Sequence, residues 1–242
     1  MNVLIIPTRN EERNIKRVLL LSKRYVDKII VADSSTDKTA EIAESVEGVE
    51  VVRVDEIGKG VAIKKAVEKL GQRGVNLVLI MDANERNPQD LEKLIKYLEF
   101  GYDVVIGERR KMRSLERKLL NGFGTFCFNF MTGLRFRDIF SGFLGIKYEK
   151  LRTIKIEAVG FEVEINFILE IWKNKLSIKR IPIEVPTISK SRCRIKDFIS
   201  ISLFFDRWFI ERKELVLSKK FGYLYFLFLC IAFIFQSFLL KL

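Results

Sequence analysis

Histidine is missing altogether from the 242 residues. That absence removes Ser-His-Asp hydrolysis, Cys-His nucleophiles, HExxH peptidases and every His-ligated zinc or haem centre. Acid-base chemistry must therefore run on carboxylates, lysine or the substrate itself. Cysteine is scarce as well: Cys127, Cys193 and Cys230 lie far apart, so no CxxC spacing exists for zinc or dithiol chemistry. An odd number argues against a disulfide framework and for a reducing compartment. No signal-peptide pattern opens the chain, because Met1 runs straight into the strand-like Val3-Leu4-Ile5-Ile6.

What is present is an ordinary share of core-forming residues, 48% hydrophobic, with a strong excess of basic charge: 43 Lys and Arg against 31 Asp and Glu, a net +12. Such a balance suits a polyanionic partner, whether nucleic acid, anionic lipid headgroups or a phosphorylated substrate. From Phe221 to Leu240 no residue is charged, and only Gln236 and Ser237 are markedly polar. About 20 apolar residues span a bilayer core as a helix, so a transmembrane segment is expected over 221–240. Lys219 and Lys220 precede the run and only Lys241 follows it, which places the preceding residues in the cytoplasm. The division expected is a folded domain over 1–190, a basic amphipathic juxtamembrane region over 191–220 and a membrane helix over 221–240, in a cell membrane protein of a single pass.

Short β-branched runs predict strands at Val3–Ile6, Lys28–Ala32, Glu50–Val54, Asn76–Met81 and Asp103–Ile106. Between them Ile15, Val18 and Leu19, and then Ala62, Ile63, Ala66, Val67 and Leu70, recur at helical spacing. Asn87-Pro88 reads as a helix start ahead of Leu91, Leu94, Ile95 and Leu98. This rhythm predicts the α/β class, with a mainly parallel sheet flanked by helices. Ligands of such sheets lie outside the carboxyl ends of the strands, which directs attention to Pro7–Glu11, Asp33–Asp37, Asp55–Lys59, Asp82–Arg86 and Gly107–Arg110. Two nucleotide motifs are excluded. Gly58-Lys59-Gly60 lacks the third glycine of a dinucleotide fingerprint and follows the third strand, and a Walker A loop would need Ser or Thr where Gly60 stands.

The strand Leu77–Met81 ends in Asp82-Ala83-Asn84. Residues i and i+2 of an extended stretch point to one side, so the Asp82 and Asn84 oxygens could converge on a hard cation such as Mg2+ or Mn2+ that bridges a diphosphate. Taken with Ile6–Glu11, Val31–Thr39, Gly58–Gly60, Gly107–Arg109, Asp138–Phe143 and Gly160–Glu164, in order and at matching spacing over roughly residues 3–196, this text resembles the family 2 glycosyltransferases of GT-A fold, and among them the dolichyl-phosphate mannose synthases and other polyprenyl-phosphate glycosyltransferases.

The resemblance implies roles. Pro7, Arg9, Glu11 and Asp33 would border base and ribose, with Lys59 near the same pocket. Asp82, Ala83 and Asn84 would meet the diphosphate, with Asp82 and Asn84 as metal ligands and Asp82 and Arg109 as catalytic residues. Asp138 and Ser141 would lie on the acceptor-phosphate side, joined there by Arg192 or Arg194 from a basic segment after Ile181–Pro186. Asn84 stands where the family usually has a second acid and Arg86 where it has glutamine. Asn84 keeps one neutral oxygen and loses a charge, which predicts weak divalent binding. Ala32 replaces an Asp and Leu144 an Arg of the same pattern.

A polyprenyl-phosphate acceptor also makes sense of the missing histidine. With a second pKa of about 6, the phosphate is largely a dianion near neutrality and can attack without a protein base. Basic residues from Arg109 to Lys118 precede Phe123, Phe126, Phe128, Phe130, Phe136 and Phe140, and Lys190–Lys196 precede Phe198–Phe209. Both stretches are read as lying at an anionic lipid surface. The function expected is an inverting, membrane-anchored transfer of a hexose from a nucleotide sugar to a polyprenyl or dolichyl phosphate. A transferase with another lipid or glycan acceptor, and a weakened binding protein, remain alternatives. Nucleic acid is not expected as a partner, since the basic clusters adjoin lipid-like sequence and match no groove-reading motif.

Overall fold

The computed structural model describes residues 1–71, 74–83, 87–110, 115–184, 200–201, 203–205, 207–208 and 211. Seven strands and seven helices are described: β1 (Asn2–Thr8), α1 (Ile15–Ser22), β2 (Lys28–Asp33), α2 (Thr39–Glu44), β3 (Val49–Arg53), α3 (Lys59–Lys69), β4 (Leu77–Ile80), α4 (Asp90–Glu99), β5 (Val104–Arg109), α5 (Leu115–Thr132), β6 (Leu144–Lys147), α6 (Tyr148–Leu151), α7 (Val163–Lys173) and β7 (Ile178–Ile183). They form one sheet in the order β3-β2-β1-β4-β6-β5-β7. Every pairing is parallel except those of β6, which runs antiparallel to both β4 and β5.

Both faces of the sheet are covered, which is why β1, β2 and β4 read as unbroken apolar runs. Successive side chains alternate between two cores. Val3, Ile5, Ile30, Val78, Ile80 and Ile106 meet α3 and α7 on one face. Leu4, Ile6, Ile29, Val31, Leu79 and Val105 meet α1 and α4 on the other. The five expected strands are all observed, with ends within three residues of those expected. The helix α4 begins at Asp90, two residues later than Asn87-Pro88 implied, and the Gln89 amide in the preceding turn donates to the Asn87 side-chain oxygen at 3.3 Å.

The mainly parallel sheet is as expected, one of its strands was not foreseen, and one further expectation is corrected. The sheet contains an antiparallel strand, β6, too short and glycine-interrupted to show as an apolar run. Gly145 is required there, because a Cβ would come within 2.9 Å of Leu98 and 3.0 Å of Leu79. The aromatic stretches, read above as lipid-facing, divide between two destinations. Phe128, Phe136, Phe204, Phe205 and Trp208 are core residues, and the Trp208 indole N–H donates to Glu170 Oε1 at 3.1 Å. Phe126 and Phe130 remain exposed on α5, their rings stacked at 6.4 Å. The run 221–240 lies outside the described residues. Among those described, no helix is long and apolar enough to cross a membrane.

Candidate active site

The parallel strands bring their carboxyl ends to one edge, and the reversed β6 adds its amino end to the same edge. Four neighbour steps separate β2 from β5, so Asp33 and Arg109 close the two ends of a row about 19 Å long. Asp82 follows β4 near the middle, and the Asp138–Phe143 turn enters β6 beside it.

The β1–β2 end is held by hydroxyl groups. The Thr8 hydroxyl donates to Asp33 Oδ1 at 2.7 Å, the Ser35 hydroxyl donates to the same oxygen at 2.5 Å, and the Ser35 amide donates to Oδ2 at 3.2 Å. Asp33 is thereby fixed although only 2% exposed. Asn10, with φ 54°, turns the chain so that its amide donates to Ser35 Oγ and its side chain accepts from the Thr36 amide. The Glu11 amide donates to Thr39 Oγ1 at 2.8 Å, while the Asn14 side chain donates to the Glu11 carboxylate at 2.9 Å. Burial would raise the Asp37 carboxyl, but hydrogen bonds from Thr39 and from the Glu12 amide outweigh it and hold its pKa below 3.8.

The β4–β6–β5 end is built from full charges. Lys59 Nζ lies 2.6 Å from Asp82 Oδ1 and 2.6 Å from Glu164 Oε1. Burial alone would lower the lysine pKa, yet the two carboxylates outweigh it and keep the ammonium charged. Burial pushes the Glu164 carboxyl up, with the nearby Asp82 charge adding to it and Lys59 opposing. Alongside, Arg109 and Asp138 form a two-point fork, Nε to Oδ2 at 2.6 Å and Nη2 to Oδ1 at 2.9 Å. Asp138 is fully buried, and its oxygens also accept from the Asn121 side chain and the Phe140 amide. Desolvation opposes the Asp138 charge, but Arg109 overrides it and sets that carboxyl below its usual range. Burial likewise disfavours the Arg109 charge, against which Asp138, Asp82 and Glu164 all act. Arg109 and the Lys59 cluster thus share one electrostatic environment.

Glycines admit these contacts. A Cβ on Gly58 would sit 2.3 Å from the Val159 carbonyl oxygen, and one on Gly60 would sit 2.1 Å from that of Ala158. The Gly-Lys-Gly segment therefore packs against the 158–159 backbone and plants Lys59 at the first position of α3. Gly142, at φ +62°, closes over the ion cluster, where a Cβ would meet Lys59 Nζ at 2.7 Å and Asp82 Oδ2 at 3.0 Å.

Residues 3–139 match the family model described as glycosyl transferase family 2. The chain belongs to that family. Among its relatives are glycosyltransferase AglJ of Haloferax volcanii, 31% identical over 74% of this chain and 61% of its own length, and undecaprenyl-phosphate mannosyltransferase of Micrococcus luteus, 30% identical over 69% of this chain and 77% of its own. Among solved structures, glucosyl-3-phosphoglycerate synthase of Mycobacterium tuberculosis in complex with Mn2+, uridine diphosphate and glucosyl-3-phosphoglycerate superposes with a TM-score of 0.68 at 21% identity, covering 83% of this chain and 75% of that one. That likeness shows the GT-A-like fold, and the family makes the chain a glycosyltransferase.

In this family 2 glycosyltransferase the sequence-predicted residues fall as follows. Asp33, Asp82, Lys59, Arg109, Asp138 and Ser141 share the carboxyl edge, as do Pro7, Arg9 and Glu11 at the end of β1. Lys59 is ion-paired to Asp82, at the charged end. Asp138 is enclosed and paired with Arg109. Asn84, Arg192 and Arg194 lie outside the described residues. Three contributors carried no role in the sequence reading: Thr8, Gly142 and Glu164. Glu164 did stand inside the quoted Gly160–Glu164 stretch, where a buried acid at a helix start was the available signal.

The donor chemistry fits a hard divalent cation. Asp82 is a carboxylate whose side chain keeps 27% exposure, and Mg2+ is commonly held by one or two carboxylates together with substrate phosphates. Among the described residues no group of three or more His, Cys, Asp or Glu surrounds a metal position. Phosphate oxygens and water would supply most of the ligands.

Proposed function

We propose that this glycosyltransferase moves a hexose from a nucleotide sugar to a polyprenyl or dolichyl phosphate, with inversion, at the cytoplasmic face of a membrane. The observation that carries this reading is that Asp82, ion-paired to Lys59, shares the carboxyl edge with a charged Arg109 held by Asp138, in a chain without histidine. The bases such a site offers a sugar hydroxyl are carboxylates already held by Lys59 and Arg109, whereas a phosphate dianion needs no protein base. Relatives include an undecaprenyl-phosphate mannosyltransferase and a dolichyl-phosphate hexose transferase, which supports the same acceptor class.

In this mechanism the Thr8–Asp33–Ser35 end would receive the nucleoside, the role that the family resemblance implies for Asp33. Asp82 would hold Mg2+ or Mn2+, which supplies charge neutralisation for the departing diphosphate. Arg109, aligned by its fork to Asp138, presents its remaining donors to phosphate oxygens, and because the fork is fixed beforehand little ordering is left for the reaction step. Placement of the attacking oxygen opposite the leaving group makes one displacement and inverts the anomeric centre. The apolar run 221–240 would anchor the chain, with Phe126 and Phe130 on α5 and the basic 190–196 segment nearest anionic lipid.

The test is a panel of labelled nucleotide sugars offered to the full chain in detergent, with and without polyprenyl phosphate and with Mg2+, Mn2+ or chelator. A labelled product that partitions into organic solvent only when polyprenyl phosphate is present is expected. Transfer to a soluble acceptor, with none to the lipid, would redirect the assignment to another acceptor.

A further inference from the structure

We infer that Lys59 is a resident counter-ion that occupies Asp82 until the donor arrives, so that binding of divalent metal and binding of nucleotide are coupled through the movement of one ammonium group. The inference rests on the proposed role of Asp82 as the carboxylate that holds the donor's cation.

Three features of the geometry support it. Lys59 Nζ sits at 2.6 Å from one oxygen of Asp82 and of Glu164, bridging two carboxylates as a metal ion would. Its side chain is only 11% exposed, and the Gly142 turn lies directly over it, leaving no room for a Cβ beside the ammonium. The second oxygen of Glu164 is buried and accepts no hydrogen bond among the described residues, where Lys59 is the cation in direct contact with both acids. A buried carboxylate left short of partners is costly, which makes the pocket attractive to further positive charge.

The consequence follows from linkage. A divalent ion approaching Asp82 without nucleotide must displace the ammonium or be repelled by it, so metal binds weakly. A diphosphate offers Lys59 a new partner and releases Asp82 to the metal. Each ligand then strengthens the other by the same factor. The lysine would in this way fasten metal uptake to donor uptake in a site with few protein ligands.

Manganese binding, followed by loss of the free-ion electron paramagnetic resonance signal, tests this on the full chain in detergent. Wild type is expected to bind Mn2+ weakly alone and at least tenfold more tightly with UDP, GDP or dTDP, after correction for Mn2+ held by the nucleotide itself. Lys59→Met should bind Mn2+ alone at least tenfold more tightly than wild type and lose most of the nucleotide enhancement. Lys59→Arg, which keeps the charge, should behave as wild type. Because Lys59→Met leaves two acids facing each other, the double variant Lys59→Met/Glu164→Gln provides a second reading with less buried charge. It too should exceed wild-type Mn2+ affinity. If both variants bind Mn2+ no better than wild type while nucleotide still binds, the counter-ion role is wrong and the transferase reading stands. If wild type takes up none of the three nucleotides at any Mn2+ concentration, both fall together.

Discussion

The two ends of the strand edge are organised by opposite chemistry. At β1 and β2, one buried carboxylate is surrounded by neutral hydroxyls and amides from residues close to the same two strand ends. At β4, β6 and β5, ammonium and guanidinium groups meet carboxylates contributed by segments far apart in the chain, Lys59 and Glu164 being 105 residues apart. The contrast separates two tasks. In the proposed function, neutral donors would shape a rigid seat for a nucleoside at little electrostatic cost, whereas paired charges would supply the field that a departing diphosphate needs. The second kind is fragile, because removing one partner strands the other in a poorly solvated place.

Substitutions at the two ends should therefore differ in size and in kind. Asp82→Ala should have the largest effect, lowering transfer by about a hundredfold or more with the melting temperature and circular dichroism little changed, because Lys59 keeps Glu164 as its counter-charge. Transfer at the wild-type rate would remove Asp82 from the reaction. Asp138→Asn should act on both fold and function. It leaves Arg109 without its buried counter-charge and should cost roughly 3–5 kcal/mol in denaturant unfolding, with a fall in kcat as Arg109 loses its alignment. A variant of unchanged stability would show that the fork contributes nothing.

Acid should expose the same asymmetry. Asp138 has its pKa depressed in the folded protein, so the stability it contributes is present above its ordinary value of 3.8 and is lost as pH falls towards and through the depressed value. The pH dependence of unfolding below about pH 4 should accordingly be shallower in Asp138→Asn than in wild type. Equal slopes would contradict the assignment. The smallest effect belongs to the hydroxyl end. Thr8→Val removes one of several donors to Asp33 and should cost about 1 kcal/mol, raising the KM for nucleotide sugar with kcat nearly unchanged.

The same contrast explains what could be read from residue order alone. Strands β1 to β5 were legible because two covered faces demand continuous apolar runs, and their carboxyl ends named Asp33, Asp82 and Arg109 in advance. The hydroxyl end was partly legible for the same reason, since its partners are set by the register of adjacent strands, Thr8 against Asp33. The charged end was not. That Lys59 would pair with Asp82 depends on Gly58 and Gly60 packing on the 158–159 backbone, a contact between segments about a hundred residues apart in number. The enclosure of Asp138 depends on β6, whose Leu-Gly-Ile-Lys carries too little apolar pattern to predict. Phe128 and Trp208 looked like lipid-facing aromatics because an amphipathic stretch has the same spacing whether its apolar side meets a bilayer or a core. Only the packing partners decide between them.

The central claim is that one cleft along the strand edge, from Asp33 to Arg109, receives the donor. Hydrogen-deuterium exchange of the full chain with and without nucleoside diphosphate and Mn2+ tests it most directly. Slowed exchange is predicted in peptides covering residues 8–11, 33–39 and 138–143, at both the hydroxyl and the charged end. Protection confined to the opposite edge, or to a single end with the other unaffected, would contradict a shared cleft.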